Sequence, residues 1–273
     1  MPFSQLHEDG IFIIYDTYQN VRCASNEYFQ HQAKQVDSLS NFIDTSIQKG
    51  QRLVNQSKLL YHKDRNCEEK SVSMTRFYFL RHGITEINEQ RRFNGGRVDS
   101  PLTPEGIEQT KKLRPFFANL RFDAIYVSPQ FRAQTTLQLA VNPKQYVVDE
   151  RLREFYFGDW EGILFEEVPI QTRQLYRDHP EAFPTADYQM ESYEEVFARG
   201  KAVVDELARR FPDGHVLIAG HGVHLTLLIQ CLLGNGIADF RKDGLLPNAS
   251  VTIVDYQLHT PQAQLIQWAI TGK

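Results

Sequence analysis

FYFLRHGIT, residues 77–85, runs four apolar side chains directly into an arginine, a histidine and a glycine. An unbroken apolar run of this length reads as a strand buried on both faces, the kind found in parallel sheets covered by helices. Its end carries Arg81 and His82, groups that seek water or an anion. Gly83 follows, where backbone or ligand can approach without a Cβ in the way. The same sequence of events recurs at VLIAGHG, residues 216–222. Parallel strands leave ligand sites at their carboxyl ends, so His82 and His221 are expected to meet at one edge of one sheet.

Outward from these two strands the signals alternate as they do in α/β proteins. Further strands are predicted at 123–127, 145–148, 249–256 and 264–270, with the first two at 76–80 and 215–219. A helix is predicted over 103–120, with Thr103 as N-cap, Pro104 at the first helical position and Leu113, Phe116, Phe117 and Leu120 along one face. Another is predicted after Ser128 as cap and Pro129, burying Ala133, Leu137 and Ala140. A third opens on the capping box SYEE at 192–195 and buries Val196, Val203, Val204, Leu207 and Phe211. The stretch VHLTLLIQCLLG, apolar on nearly all sides, predicts a buried helix stopped by Gly234. Residues 1–73 lack this alternation and are rich in Gln, Asn and Ser, so they read as an N-terminal extension to a catalytic domain at 74–273. Within the extension, Val36, Leu39, Ile43 and Ile47 fall at helical spacing, and 11–15 reads as a short strand.

Bulk properties narrow the function. With 273 residues, 41% hydrophobic and 23% charged, the chain is an ordinary globular protein rather than a disordered one. Its net charge of -4 gives no basic stripe to neutralise successive phosphates, so nucleic acid is not an expected partner. Cys23, Cys67 and Cys231 are odd in number and far apart, which fits a reducing compartment better than a disulfide framework. The start has no basic region followed by an apolar stretch long enough for a signal or a membrane span. A cytoplasmic protein, not associated with membrane, is expected.

Arg132 supplies a more pointed clue. It falls in the first turn of its helix, where a cation opposes the macrodipole, and a nearby anion would remove the conflict. The same helix end offers free amides suited to a phosphate.

RHGITEIN (81–88), DSPLTPEG (99–106), SPQFRAQTT (128–136), LREFYFGDWEG (152–162), ESYEEVFARG (191–200) and AGHG (219–222), in this order, resemble the motifs of the histidine phosphatase superfamily, the phosphoglycerate mutase-like proteins. The resemblance covers about 200 residues, from Met74 onward. It implies a three-layer fold, a mostly parallel sheet with helices on both faces, with a small helical lid inserted after GDWEG. It also implies that His82 is the nucleophile, forming a phosphohistidine through one bare imidazole nitrogen while the other is fixed as a donor, as to a backbone carbonyl at Gly83. Arg81, Arg132 and His221 would then surround the transferring phosphoryl group, with Asn88 adding a neutral donor. Glu154 would protonate the leaving oxygen, an assistance typically worth about 10² to 10⁴ in rate. No metal and no cofactor are expected, because cations of the chain itself meet the phosphoryl charge. Glu161 reads as structural.

The chain departs from the family pattern at Val127, where a serine is usual, at Met190, where a glycine is usual, and in RRFNGGRVD (91–99), which has one extra residue. In that last segment Arg91, Arg92 and Arg97 are candidates to meet the far, anionic end of a substrate. A phosphohistidine taken by water gives a phosphatase, and one taken by a second hydroxyl gives a mutase. The short lid, with Tyr176, His179 and Tyr188, favours a metal-independent phosphomonoesterase acting on a small phosphorylated metabolite. Cofactor-dependent phosphoglycerate mutase is the alternative. A homodimer is a further expectation, on which the residues are silent.

Overall fold

The computed structural model describes residues 73–258 and 263–272. The expected helix over 36–47 and strand at 11–15 lie outside the described residues. Six strands form one sheet: β1 (Thr75–Arg81), β2 (Ala124–Val127), β3 (Val147–Val148), β4 (His215–Gly220), β5 (Ser250–Tyr256) and β6 (Gln264–Thr271), in the order β3-β2-β4-β1-β5-β6. The pairs β2–β3, β2–β4 and β4–β1 are parallel, and β5 runs antiparallel to both its neighbours. The sheet is therefore mostly parallel.

Among the described residues seven α-helices accompany it: α1 (Glu86–Glu89), α2 (Pro104–Lys111), α3 (Arg114–Phe117), α4 (Phe131–Ala140), α5 (Ile170–Asp178), α6 (Tyr193–Arg210) and α7 (Gly222–Leu232). Side chains alternate across a strand, and β1 and β4 feed two separate cores. Phe77, Phe79, Val216 and Ile218 pack with Val203, Val204, Leu207, Leu225 and Leu228 of α6 and α7. Tyr78, Leu80, Leu217 and Ala219 pack with Leu113, Phe117, Ala133 and Leu137 on the opposite face. Covering both faces explains why FYFL needs no polar alternation: a three-layer sandwich buries every one of its side chains.

A third cluster, mainly aromatic, lies away from the sheet and is built from Phe93, Phe155, Phe157, Trp160, Phe183, Tyr193 and Phe240 with smaller apolar groups. It underlies the inserted segment whose regular part is α5, a helix with no buried residue of its own.

Three expected elements are corrected. The helix over 103–120 is two helices that break at Lys112–Leu113. Pro115 has no N–H to give to Lys111 and its ring clashes one turn back, while the predicted apolar residues still face the core. The helix after SPQ starts at Phe131, with Gln130 at the N-cap making no side-chain cap bond. Ser128 is not the cap, because its hydroxyl sits 2.6 Å from His221 Nε2. The strand at 145–148 shrinks to Val147–Val148, which pairs only with β2 at the edge of the sheet. Gly234 does end α7, at φ +88°, where a Cβ would be strained.

Candidate active site

The ends of β1 and β4 place the two histidines. Their register pairs Leu80 with Ala219 and Arg81 with Gly220. One step further, the His82 N–H donates to Gly220 O at 3.0 Å. The imidazoles consequently stand side by side, with ring centroids 5.2 Å apart. His82 is anchored at its own carbonyl as well, which accepts from Ala249 N–H and Asn248 Nδ2, both at 3.1 Å.

His82 Nδ1 lies 2.7 Å from Gly83 O. A carbonyl only accepts, so Nδ1 carries the proton and Nε2 is left with its lone pair. Burial, reinforced by the charges of Arg132 and Arg81, holds the His82 pKa well below the ordinary histidine value. The ring is therefore neutral, with a free lone pair at Nε2. His221 is also buried and neutral for the same leading reason. A hydroxyl proton from Ser128 to Nε2 would leave its Nδ1 as the protonated nitrogen, and Nδ1 has no partner among the described residues.

Arg81 lies across Gly222, the first residue of α7. A Cβ there would meet Arg81 Cζ at 2.8 Å, so only glycine permits the guanidinium to pass. Arg81 Nη1 donates to Leu246 O, and its buried Nε has no partner among the described residues. Burial lowers the Arg81 pKa to about 10, which still leaves it charged at neutral pH.

Arg132 is 1% exposed and is held mostly by the 94–99 segment. Its Nη1 donates to Val98 O at 2.7 Å and to Asp99 Oδ1 at 3.1 Å, and its Nη2 to Gly95 O at 3.0 Å. The anion that reconciles this arginine with its helix end is thus Asp99, which also accepts from the Phe131 N–H at 2.5 Å. Of the Arg132 guanidinium nitrogens, the buried Nε is without a partner among the described residues.

Glu154 is 4% exposed, and three backbone amides hold its carboxylate. Phe155 N–H and His224 N–H donate to Oε1, each at 2.8 Å, and Val223 N–H donates to Oε2 at 3.1 Å. Two of these belong to the first turn of α7, where amides and macrodipole favour an anion. Asn88 turns its Oδ1 to Thr85 Oγ1 at 2.9 Å in a capping box, which leaves its amide NH₂ as the group it can offer the cavity.

Arg81, His82, Asn88 and Glu154 line a cavity of about 480 Å³. Arg132 and His221 do not line it; both are buried behind the wall. Of the arginines in the 91–99 segment, Arg91 and Arg92 line the cavity, while Arg97 instead stacks over Tyr156 at 4.2 Å. Of the lid residues singled out, Tyr176 lines the cavity. Tyr188 stacks on Phe183 at 5.3 Å, and His179 is exposed beside Glu181.

Sequence reasoning overlooked Gln130, which ties the site together: its Nε2 donates to Gly95 O at 2.8 Å and its Oε1 accepts from Glu154 N–H at 2.9 Å. Arg199 was also overlooked. It pairs with Glu191 at 2.7 Å and donates to the carbonyls of Arg151 and Arg153, each at 2.7 Å, and of Glu154 at 3.2 Å. Glu161 accepts from Phe157 N–H at 3.0 Å and Val98 N–H at 3.2 Å, and burial raises its pKa. Its work is to hold backbone. Among the described residues no group of three or more His, Cys, Asp or Glu could hold a metal, and no helix is long and apolar enough to cross a membrane.

Comparison with known families decides the matter, because residues 77–269 match the histidine phosphatase superfamily, branch 1. The chain belongs to that superfamily. It is 35% identical over 173 residues to a putative phosphoserine phosphatase 2 of Hydrogenobacter thermophilus, covering 60% of this chain and 81% of the relative. It is also 31% identical over 192 residues to a probable phosphoglycerate mutase GpmB of Cronobacter sakazakii, covering 67% and 86%. Among solved structures, a mycobacterial glucosyl-3-phosphoglycerate phosphatase superposes with TM-score 0.63 and 28% identity, covering 71% of this chain and 98% of that one. The fold is thus the phosphoglycerate mutase-like one, and the enzyme is a phosphatase of this superfamily.

Proposed function

We propose that this phosphatase is a metal-independent phosphomonoesterase of small phosphorylated metabolites that works through a phosphohistidine at His82. The observation that carries the reading is the tautomer of His82. With Nδ1–H spent on Gly83 O, a neutral ring presents Nε2 beside a second imidazole and next to Arg81.

In the first step Nε2 bonds to phosphorus as the P–O bond to the alcohol breaks. Glu154 delivers a proton to the departing oxygen, so that an alcohol leaves in place of an alkoxide. In the second step water attacks phosphorus, the P–N bond breaks and returns its electron pair to Nε2, and Glu154 takes a proton from that water in place of the one that left with the alcohol. Charge on the equatorial oxygens is met by Arg81 and Asn88 from the cavity wall and by the unpartnered Nε of Arg132 and Nδ1 of His221 from behind it. Preorganised donors of this kind are the main device in phosphoryl transfer.

The test is to react the enzyme with p-nitrophenyl phosphate, quench in alkali and map the adduct by peptide mass spectrometry. A phosphoryl group on His82 is expected, and His82→Ala should lower kcat by about 10⁴-fold or more. Undiminished hydrolysis by that variant would remove His82 from the mechanism. The relative named as a probable phosphoglycerate mutase keeps mutase activity as a second reading. Supplying 3-phosphoglycerate and following 2-phosphoglycerate against inorganic phosphate separates the two.

A further inference from the structure

The RRFNGGRVD segment, with its one extra residue, does more than bring Arg91 and Arg92 to the cavity. Its second half, residues 94–99, is laid against 154–157, the stretch that carries Glu154. Gly96 N–H donates to Phe155 O at 3.0 Å, and a Cβ on Gly96 would come within 3.0 Å of Glu154 O. Glu161 ties the same two stretches by accepting from Val98 N–H and Phe157 N–H. The crossing matters because the carbonyls of Gly95 and Val98 hold the Arg132 guanidinium.

Gln130 sits where the two stretches meet. It is 8% exposed and stands two residues before Arg132, at the N-cap of α4. Its Nε2 donates to Gly95 O at 2.8 Å and to Val98 O at 3.1 Å, the carbonyls that Arg132 also uses. Its Oε1 accepts from Glu154 N–H at 2.9 Å. Carbonyls only accept and an N–H only donates, so the amide has one orientation, and both of its protons are used. A capping residue normally turns its side chain back to its own helix. Gln130 makes no such bond, and its amide instead fixes the main chain of the proton donor against the cage of the buried cation.

We infer that Gln130 is a positioning residue that sets Glu154 and Arg132 as one unit for phosphoryl transfer. The inference rests on the phosphomonoesterase reading, with Glu154 as the acid, and deepens it. Where catalysis is mainly placement of charge and proton, a displacement of about 1 Å can cost about 10²-fold in rate.

Benzyl phosphate and p-nitrophenyl phosphate test it, since the first leaving group needs an acid and the second does not. Gln130→Met keeps the volume and loses all three bonds, so it should lower kcat by about 100-fold on benzyl phosphate and about tenfold on p-nitrophenyl phosphate, with KM nearly unchanged. Orthovanadate, which takes the shape of the transferring group, should inhibit it about tenfold more weakly than wild type. In a Glu154→Gln background the same substitution should cost about tenfold on both esters, because no acid is left to misplace. Gln130→Glu keeps an acceptor for Glu154 N–H and gives up both donors, so it should lose about tenfold on both esters and share the weakened vanadate inhibition. Urea unfolding checks that each variant folds. Equal losses on both esters in Gln130→Met, or unaltered vanadate inhibition in the two Gln130 variants, would overturn the unit and leave the phosphatase reading standing. If Gln130→Met does not fold, Gln130→Glu decides alone, and unaltered vanadate inhibition in it sinks the inference. A wild-type enzyme that hydrolyses neither ester would strike at the phosphatase reading itself and take this inference with it.

Discussion

The floor of the cavity and its lid-side wall are built by different means. On the floor and behind it, backbone does most of the placing: His82 by the β1–β4 register and Gly83 O, the buried Arg132 by the carbonyls of the 94–99 segment together with Asp99, and Glu154 by three amides. On the wall, α5 buries no residue, and its position depends on side chains such as Arg241 over Tyr176. Groups locked by main chain cannot adapt to a new ligand, whereas groups carried on a surface helix can. The two regions are therefore held by different kinds of contact, residue by residue.

The sharpest way to break that separation is at Glu154. Glu154→Gln keeps one carbonyl oxygen for the Phe155 and His224 amides, gives up the Val223 bond and removes the proton. It should cost about 10² to 10⁴ in kcat for alkyl phosphates and much less for p-nitrophenyl phosphate, whose leaving group needs no acid. Equal losses on both would move the acid elsewhere.

Next in size is a pH effect that belongs to the floor and its immediate support. Buried His82, His221 and His224 all have pKa values held well below the ordinary one, in each case chiefly by burial. The unfolded chain takes up protons near pH 6.5 that the folded one refuses. Their contribution is thus fully present above about pH 6.5 and is lost as pH falls below it, at about 1.4 kcal/mol per pH unit for each histidine until its folded pKa is reached. Urea unfolding between pH 7.5 and 5.5 reads this directly, and a flat profile would mean that these rings protonate without opening the fold.

The smallest effect sharpens the comparison. Gly222→Ala puts a methyl where the nearest guanidinium carbon is 2.8 Å away, so Arg81 must move. A loss of about 10- to 100-fold in kcat is expected with the preference for one substrate over another unchanged. A changed preference with kcat intact would show that Arg81 belongs to the wall.

The contrast also explains what could be read in advance. FYFLRHG and VLIAGHG are legible because covering both faces of a sheet makes a strand uniformly apolar, and the polar residues at its end then stand out. The SYEE capping box and Gly234 are local chemistry and appear where their residues put them. Pro115 broke a helix whose apolar stripe continues unbroken across it, because periodicity does not register a missing N–H. Ser128 was read as a cap because the imidazole that engages its hydroxyl lies 93 residues away. Asp99 as the partner of Arg132 was hidden in the same way, across 33 residues. Arg241 carries no signal at all in ADFRKDG; only the fold brings it to Tyr176.

The hydrogen bond from His82 N–H to Gly220 O has a longer reach than its 3.0 Å suggests. Neighbouring strands in any sheet lie about 4.8 Å apart, so main-chain geometry sets the separation of the two histidine backbones, and Gly83 O and Ser128 Oγ then hold the rings. Substitutions throughout the inserted segment can then reshape the lid-side wall without touching the strand register that spaces the two histidines.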